Sequence, residues 1–111
     1  MTINWDDFEK IDIRVGTIIE VNDFPKARKP AYQLRIDFGE KLGIKQSSAQ
    51  ITVHYKKEDL LNRQVIAVIN FPPKQIADFI SECLVLGVYD ENNDVILLSP
   101  EKDTKNGMKI G

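Results

Sequence analysis

The chain has 111 residues, 42% hydrophobic and 29% charged, which fits one soluble globular domain over residues 1–111 and excludes a disordered chain. Its 15 basic and 17 acidic residues leave a net charge of −2, which excludes the broad basic footprint of a general nucleic-acid binder but leaves room for a local patch. A lone cysteine excludes an internal disulfide, the acidic start MTINWDDFEK is no signal peptide, and no apolar run reaches membrane-span length, so a cytoplasmic protein without a membrane span is expected.

Asn4 is placed to cap a short helix, with Asp6 and Asp7 in its first turn, where the helix dipole favours negative charge. Trp5 and Phe8 are three residues apart and share a face. They either cover the domain's own core or pack on a second subunit. Residues 13–21 alternate as a strand with one buried face: Ile13, Val15, Thr17, Ile19 and Val21 point one way, with Ile18 the exception. Gly16 within that strand predicts a bulge or bend. The segment DFPKARKP (23–30) is a proline-bracketed loop that carries Lys26, Arg28 and Lys29. It is either a solvated tip or a phosphate-contacting loop.

Residues 31–38 form the clearest strand, with Tyr32, Leu34, Ile36 and Phe38 inward, and Glu40–Gly43 is a turn. A third strand, IKQSSAQI (44–51), has isoleucine ends but is filled with Lys45, Gln46, Ser47, Ser48 and Gln50. Such a strand is a solvated edge or the wall of a polar pocket. Residues 52–61 read as a helical connection, and 64–69 as a fourth strand. The polar, proline-stiffened stretch 70–78 then opens the sheet, because proline cannot donate to a ladder. A fifth strand runs from about Ser81 to Tyr89, DENND (90–94) is a turn, and residues 95–98 return as a short strand. In the tail, Asn106-Gly107 signals a tight hairpin turn. Met108 and Ile110 are too apolar for a mobile end and predict docking, so with Trp5 and Phe8 they are the expected homodimer interface. The sum is an all-β protein: a five-stranded OB-fold barrel with a short N-terminal helix, a helical segment between strands three and four, and C-terminal dimerisation extensions.

The chemistry-bearing residues do not assemble into a catalytic set. One histidine, His54, and one cysteine, Cys83, make no metal-ligand spacing, and no cofactor motif is present. Cys83 lies in an apolar strand, where free cysteine is usually an inert small hydrophobe. Ser47 or Ser48 with His54 lacks an orienting acid. What remains is a polar constellation from three segments: Ser47, Ser48 and Gln50; Asn70, Phe71, Lys74 and Gln75; Ser81 and Glu82. In an OB barrel these segments share a rim used for binding oligomers. Lys26, Arg28, Lys29 and Lys45 are candidate phosphate contacts beside it.

The stretches IDIRVGTIIEV (11–21), INFPPKQI (69–76) and ISECLVLGV (80–88) resemble the tRNA-binding domain of the methionyl-tRNA synthetase C-terminus and its free-standing relatives. Within that family, FPKARKPAYQLRIDFGE followed by GIKQSSAQI resembles the CsaA-type export-related chaperones. The resemblance implies a homodimeric OB-fold that binds unfolded or precursor polypeptides and partners SecA-type export machinery, with a possible affinity for tRNA. It places the family's RNA-contact motif on Ser47, Asn70, Lys74, Ser81 and Glu82, and a peptide-accepting pocket beside Phe71. The usual histidine-proline-asparagine turn is replaced here by Asp23, Phe24, Pro25 and Lys26, and Glu82 stands where RNA binders often carry glutamine. Both departures favour peptide over tRNA.

Overall fold

The computed structural model describes residues 1–111. Helix α1 (Trp5–Glu9) begins at a reciprocal cap: the Asp7 amide donates to the Asn4 side chain at 2.9 Å, and the Asn4 amide to the Asp7 carboxylate at 3.1 Å. The main sheet contains β1 (Ile13–Asp23), β2 (Tyr32–Asp37), β3 (Ile44–Ala49), β4 (Gln64–Val68) and β7 (Leu84–Val85), in the order β3-β2-β1-β4-β7, all antiparallel. Two hairpins complete the architecture: β5 (Lys74–Ile76) with β6 (Phe79–Ser81), and β8 (Gly87–Tyr89) with β9 (Val95–Leu97). Ile18, Leu34, Ile36, Phe38, Leu60 and Val65 fill the interior. No helix is long and apolar enough to cross a membrane.

The barrel closes where β3 meets the segment entering β7. The Glu82 amide donates to the Gln46 carbonyl at 2.8 Å, and the Gln46 amide returns a bond to the Glu82 carboxylate at 3.0 Å. Inside this seam the Ser47 hydroxyl donates to the Cys83 carbonyl at 2.9 Å, and Ser47 is only 1% exposed. The polar filling of β3 therefore has a structural use, since its side chains supply hydrogen bonds that a regular ladder would otherwise make. This is a nearly closed five-stranded OB-type barrel, as the strand pattern predicts.

Several local expectations are corrected. The bulge in β1 lies at Ile19, not Gly16: Ile18 pairs with Ile36 and Glu20 with Arg35, leaving one residue extra. Ile18 is consequently in the core and Ile19 in solvent. Gly16 is instead a close approach, because a Cβ there would lie 2.7 Å from Ile36 Cγ2 and 2.8 Å from the Phe38 ring. The helical connection over 52–61 shrinks to α2 (Lys57–Leu60), preceded by turns. The stretch 70–78 is not wholly an open loop, since Lys74–Ile76 folds back on Phe79–Ser81 around Ala77 at φ 53°. Nor is the fifth strand continuous. Glu82 and Cys83 turn into the seam, and Leu86 donates to Ile66 while accepting from Leu98, which redirects the chain into the second hairpin.

Asn106-Gly107 makes a turn but no hairpin. The tail runs along β1, with bonds from the Gly107 amide to the Val15 carbonyl, from Val15 to Met108 and from Ile110 to Ile13. Gly107 has φ +91°, and a Cβ there would meet the Phe38 carbonyl. The tail thus occupies the length of β1 edge that β2, which begins pairing at Thr17, leaves free.

Candidate functional site

The structure brings most of the rim residues together and gives some of them prior commitments. The Ser48 amide donates to the Ser81 hydroxyl at 3.2 Å, so β3 and β6 meet as expected. Ser47 and the Glu82 carboxylate are engaged in the seam. Asn70 lines neither groove described below. Its side chain accepts from the Asp12 amide at 3.0 Å and donates to the Lys10 carbonyl at 2.7 Å, tying the α1–β1 connection to the end of β4.

Two grooves flank this rim. The first, about 1000 Å³, runs between residues 48–53 and residues 81–89. Phe71, Ile76, Leu84, Leu86 and Tyr89 give it apolar walls, with Ser48, Gln50, Lys74, Ser81 and Glu82 beside them. Phe71, Leu84 and Tyr89 are exposed to solvent. The second groove, about 930 Å³, lies between the 26–31 segment and the β5–β6 hairpin. Lys26, Arg28, Lys29 and Lys74 line it, and no carboxylate does. Lys29, Ser48, Gln50, Lys74 and Ile76 belong to both and form a common wall. The 23–30 loop is fastened to the hairpin by the buried Phe24 ring against Phe79 at 5.5 Å, and by Lys26 with Asp78 at 3.1 Å. Lys45 lines neither groove.

Sequence reasoning missed Leu84 and Tyr89, because their run LVLGVY reads as strand core. Only the breaks at Cys83 and Leu86 turn these side chains outward. Around the start of β1, Trp5 and Met108 are exposed while Phe8 and Ile110 are half-buried. Lys109 reaches Glu9 at 3.4 Å, so the tail and α1 sit together at the start of β1.

His54 Nε2 lies 2.6 Å from the Asp90 carboxylate, which also accepts from the Asn92 and Asp94 amides. The Asp94 amide first, and His54 second, hold the Asp90 carboxyl below its ordinary range. His54, Asp90 and Asp94 place their donor atoms within 4.8 Å of one another, a proximity that linear spacing conceals. Cys83 is buried, and loss of hydration pushes its thiol up to about 12, leaving it protonated and unreactive at neutral pH.

A family model described as a putative tRNA binding domain matches residues 13–109. The methionine–tRNA ligase of Pyrococcus abyssi is 40% identical over 110 residues, covering 99% of this chain and 15% of the ligase. That of Parabacteroides distasonis is 39% identical, covering 97% of this chain and 16% of the ligase. The chain therefore spans only a small part of these curated relatives. Among solved structures, the CsaA chaperone protein of Picrophilus torridus superposes with a TM-score of 0.93 at 57% identity, covering 99% of this chain and 100% of its own. The chaperone CsaA of Bacillus anthracis gives 0.94 at 51% identity, with both chains covered completely. The chain belongs to the tRNA-binding domain family, and the CsaA chaperone structures match it from end to end.

Proposed function

We propose that the protein is a non-catalytic chaperone of the cytoplasm that binds unfolded or precursor polypeptides as a homodimer and delivers them to SecA-type export machinery. The observation that carries this reading is the solvent-open apolar groove, whose exposed Phe71, Leu84 and Tyr89 lie beside amide and hydroxyl groups. That combination accepts apolar side chains while pairing with main chain. End-to-end similarity to solved CsaA chaperones supports it.

A second reading, tRNA binding, is favoured by the adjoining groove with its Lys26, Arg28, Lys29 and Lys74 lining, and by the family match. Glu82 opposes it by adding negative charge to the adjoining apolar groove. The two readings separate in one experiment: titration of the protein with an apolar precursor peptide and with tRNA at low and at moderate salt. The chaperone reading expects peptide affinity to persist at moderate salt, because burial rather than counterion release drives it. Tight tRNA binding that falls steeply with salt, with no peptide binding, would replace the first reading by the second.

A further inference from the structure

We propose that the polypeptide enters the apolar groove as an added β-strand, held through its own main chain by the edges that β3 and β7 leave open, with an acidic group at one end and a basic group at the other. The inference rests on the polypeptide-binding reading and specifies its mode. β3 and β7 are the two outer strands of the five-stranded sheet, and only a short seam joins them. Their remaining main-chain groups have few partners. Leu84 pairs with Val68, and the Leu86 amide donates to Ile66. Antiparallel alternation therefore turns the amide and carbonyl of Val85, between them, away from β4. No loop or turn bond takes them up.

On β3, Gln46 points its amide and carbonyl toward Glu82, so Ser48, two residues on, presents the same edge. The Ser48 amide takes the Ser81 hydroxyl, but its carbonyl meets only the Ser47 hydroxyl at 3.4 Å. Ser48 and Val85 both line the apolar groove. A groove with apolar walls and unpaired strand edges matches an extended chain, whose backbone supplies the missing bonds and whose alternate side chains fill the walls.

The ends of the groove differ in charge. Lys74 pairs with Ser81, beside Ser48, and with Lys29 it forms a basic end where neither lysine has an ion-pair partner, the Glu82 carboxylate next to Ser81 being taken up by the Gln46 amide. At the Val53 end, next to the His54–Asp90 contact, Asp94 lines the groove and its carboxylate has no hydrogen-bond donor. A bound strand is therefore oriented by a carboxylate near Lys29 and Lys74 and a cation near Asp94.

The test uses a capped peptide of about eight residues, alternating leucine and serine, with glutamate at one end and lysine at the other, in both orders. Two further versions carry N-methyl groups on one or the other alternate set of amides, which removes donors and leaves the side chains in place. The expected result is a loss of at least about tenfold in affinity for one set or both. Slower hydrogen exchange of the Val85 amide on binding of the unmethylated peptide is also expected. Full affinity in both methylated versions, or an unchanged Val85 amide, overturns strand addition while leaving polypeptide binding standing. Equal affinity for the two charge orders and for a serine-ended peptide overturns the oriented-ends part. No binding by any of these peptides overturns the chaperone reading and this inference together.

Discussion

Gly16 is the residue of β1 with the least room for a side chain. Ile36 of β2 and Phe38, just beyond its end, lie across it at distances no side chain can occupy. Gly16→Ala is expected to cost about 1–3 kcal/mol, as overpacking of a filled interior does. Urea unfolding followed by circular dichroism measures it, and an unchanged midpoint would remove the close-approach argument. Phe71 stands at the other extreme. It is 54% exposed, so its removal leaves the fold intact. As an aromatic anchor, Phe71→Ala is expected to weaken peptide binding by about 1–3 kcal/mol, and calorimetric titration gives the difference. Asp90 adds a pH effect. Its carboxyl is held below the ordinary range by the Asp94 amide and His54. The sign follows from the anion being preferred in the folded chain: this stabilisation is present above the ordinary carboxylate pKa and is lost as pH falls through the lowered folded value. Asp90→Asn should therefore flatten the acid limb of a melting-temperature profile, and an acid limb that stays as steep as before would refute the assignment.

At the level of elements, the tail behaves as a further partner of β1. Deleting residues 106–111 removes the bonds of Gly107, Met108 and Ile110 to that strand, and also the contact of the Arg14 guanidinium with the Gly107 carbonyl at 3.0 Å. A loss of about 2–4 kcal/mol is expected at ordinary hydrogen-bond values. Loss of exchange protection at the Val15 amide would locate it, and full protection in the truncated chain would contradict the pairing. The elements that were legible in the sequence are those with one buried face. Residues 31–38 alternate without interruption, and Asn4 announces its cap. The bulge was not legible, because Ile18 and Ile19 are chemically identical and only the register against β2 tells which one is inside. The β5 segment Lys-Gln-Ile carries too little apolar pattern to announce a strand, and LVLGV carries too much to announce its own breaks. For the site, the meeting of Ser48 with Ser81 was legible from the barrel order. The commitment of Asn70 to Lys10 and Asp12 was not, since those partners are about sixty positions away.

At the scale of the whole molecule, two faces remain for association. The groove face carries Phe71, Leu84 and Tyr89. The face formed by α1 and the tail carries exposed Trp5 and Met108 beside half-buried Phe8 and Ile110. The second is the proposed homodimer surface, because α1 and the tail are already joined there through Lys109 and Glu9. Sedimentation equilibrium at micromolar concentration is expected to give a dimer, and Trp5→Ala with Met108→Ala a shift toward monomer. A monomer in the unaltered chain would refute the assignment.

The tail's place along β1 also bears on the order of assembly. Gly107 and Arg14 are 93 positions apart, yet they meet on one strand. Closing so long a loop carries an entropic cost, and topologies dominated by such contacts fold slowly. A chain emerging from its N-terminus therefore carries the first half of β1 short of one partner until residues 107–110 are free to reach it. The strand that begins the barrel therefore cannot be fully paired until the end of the chain is available.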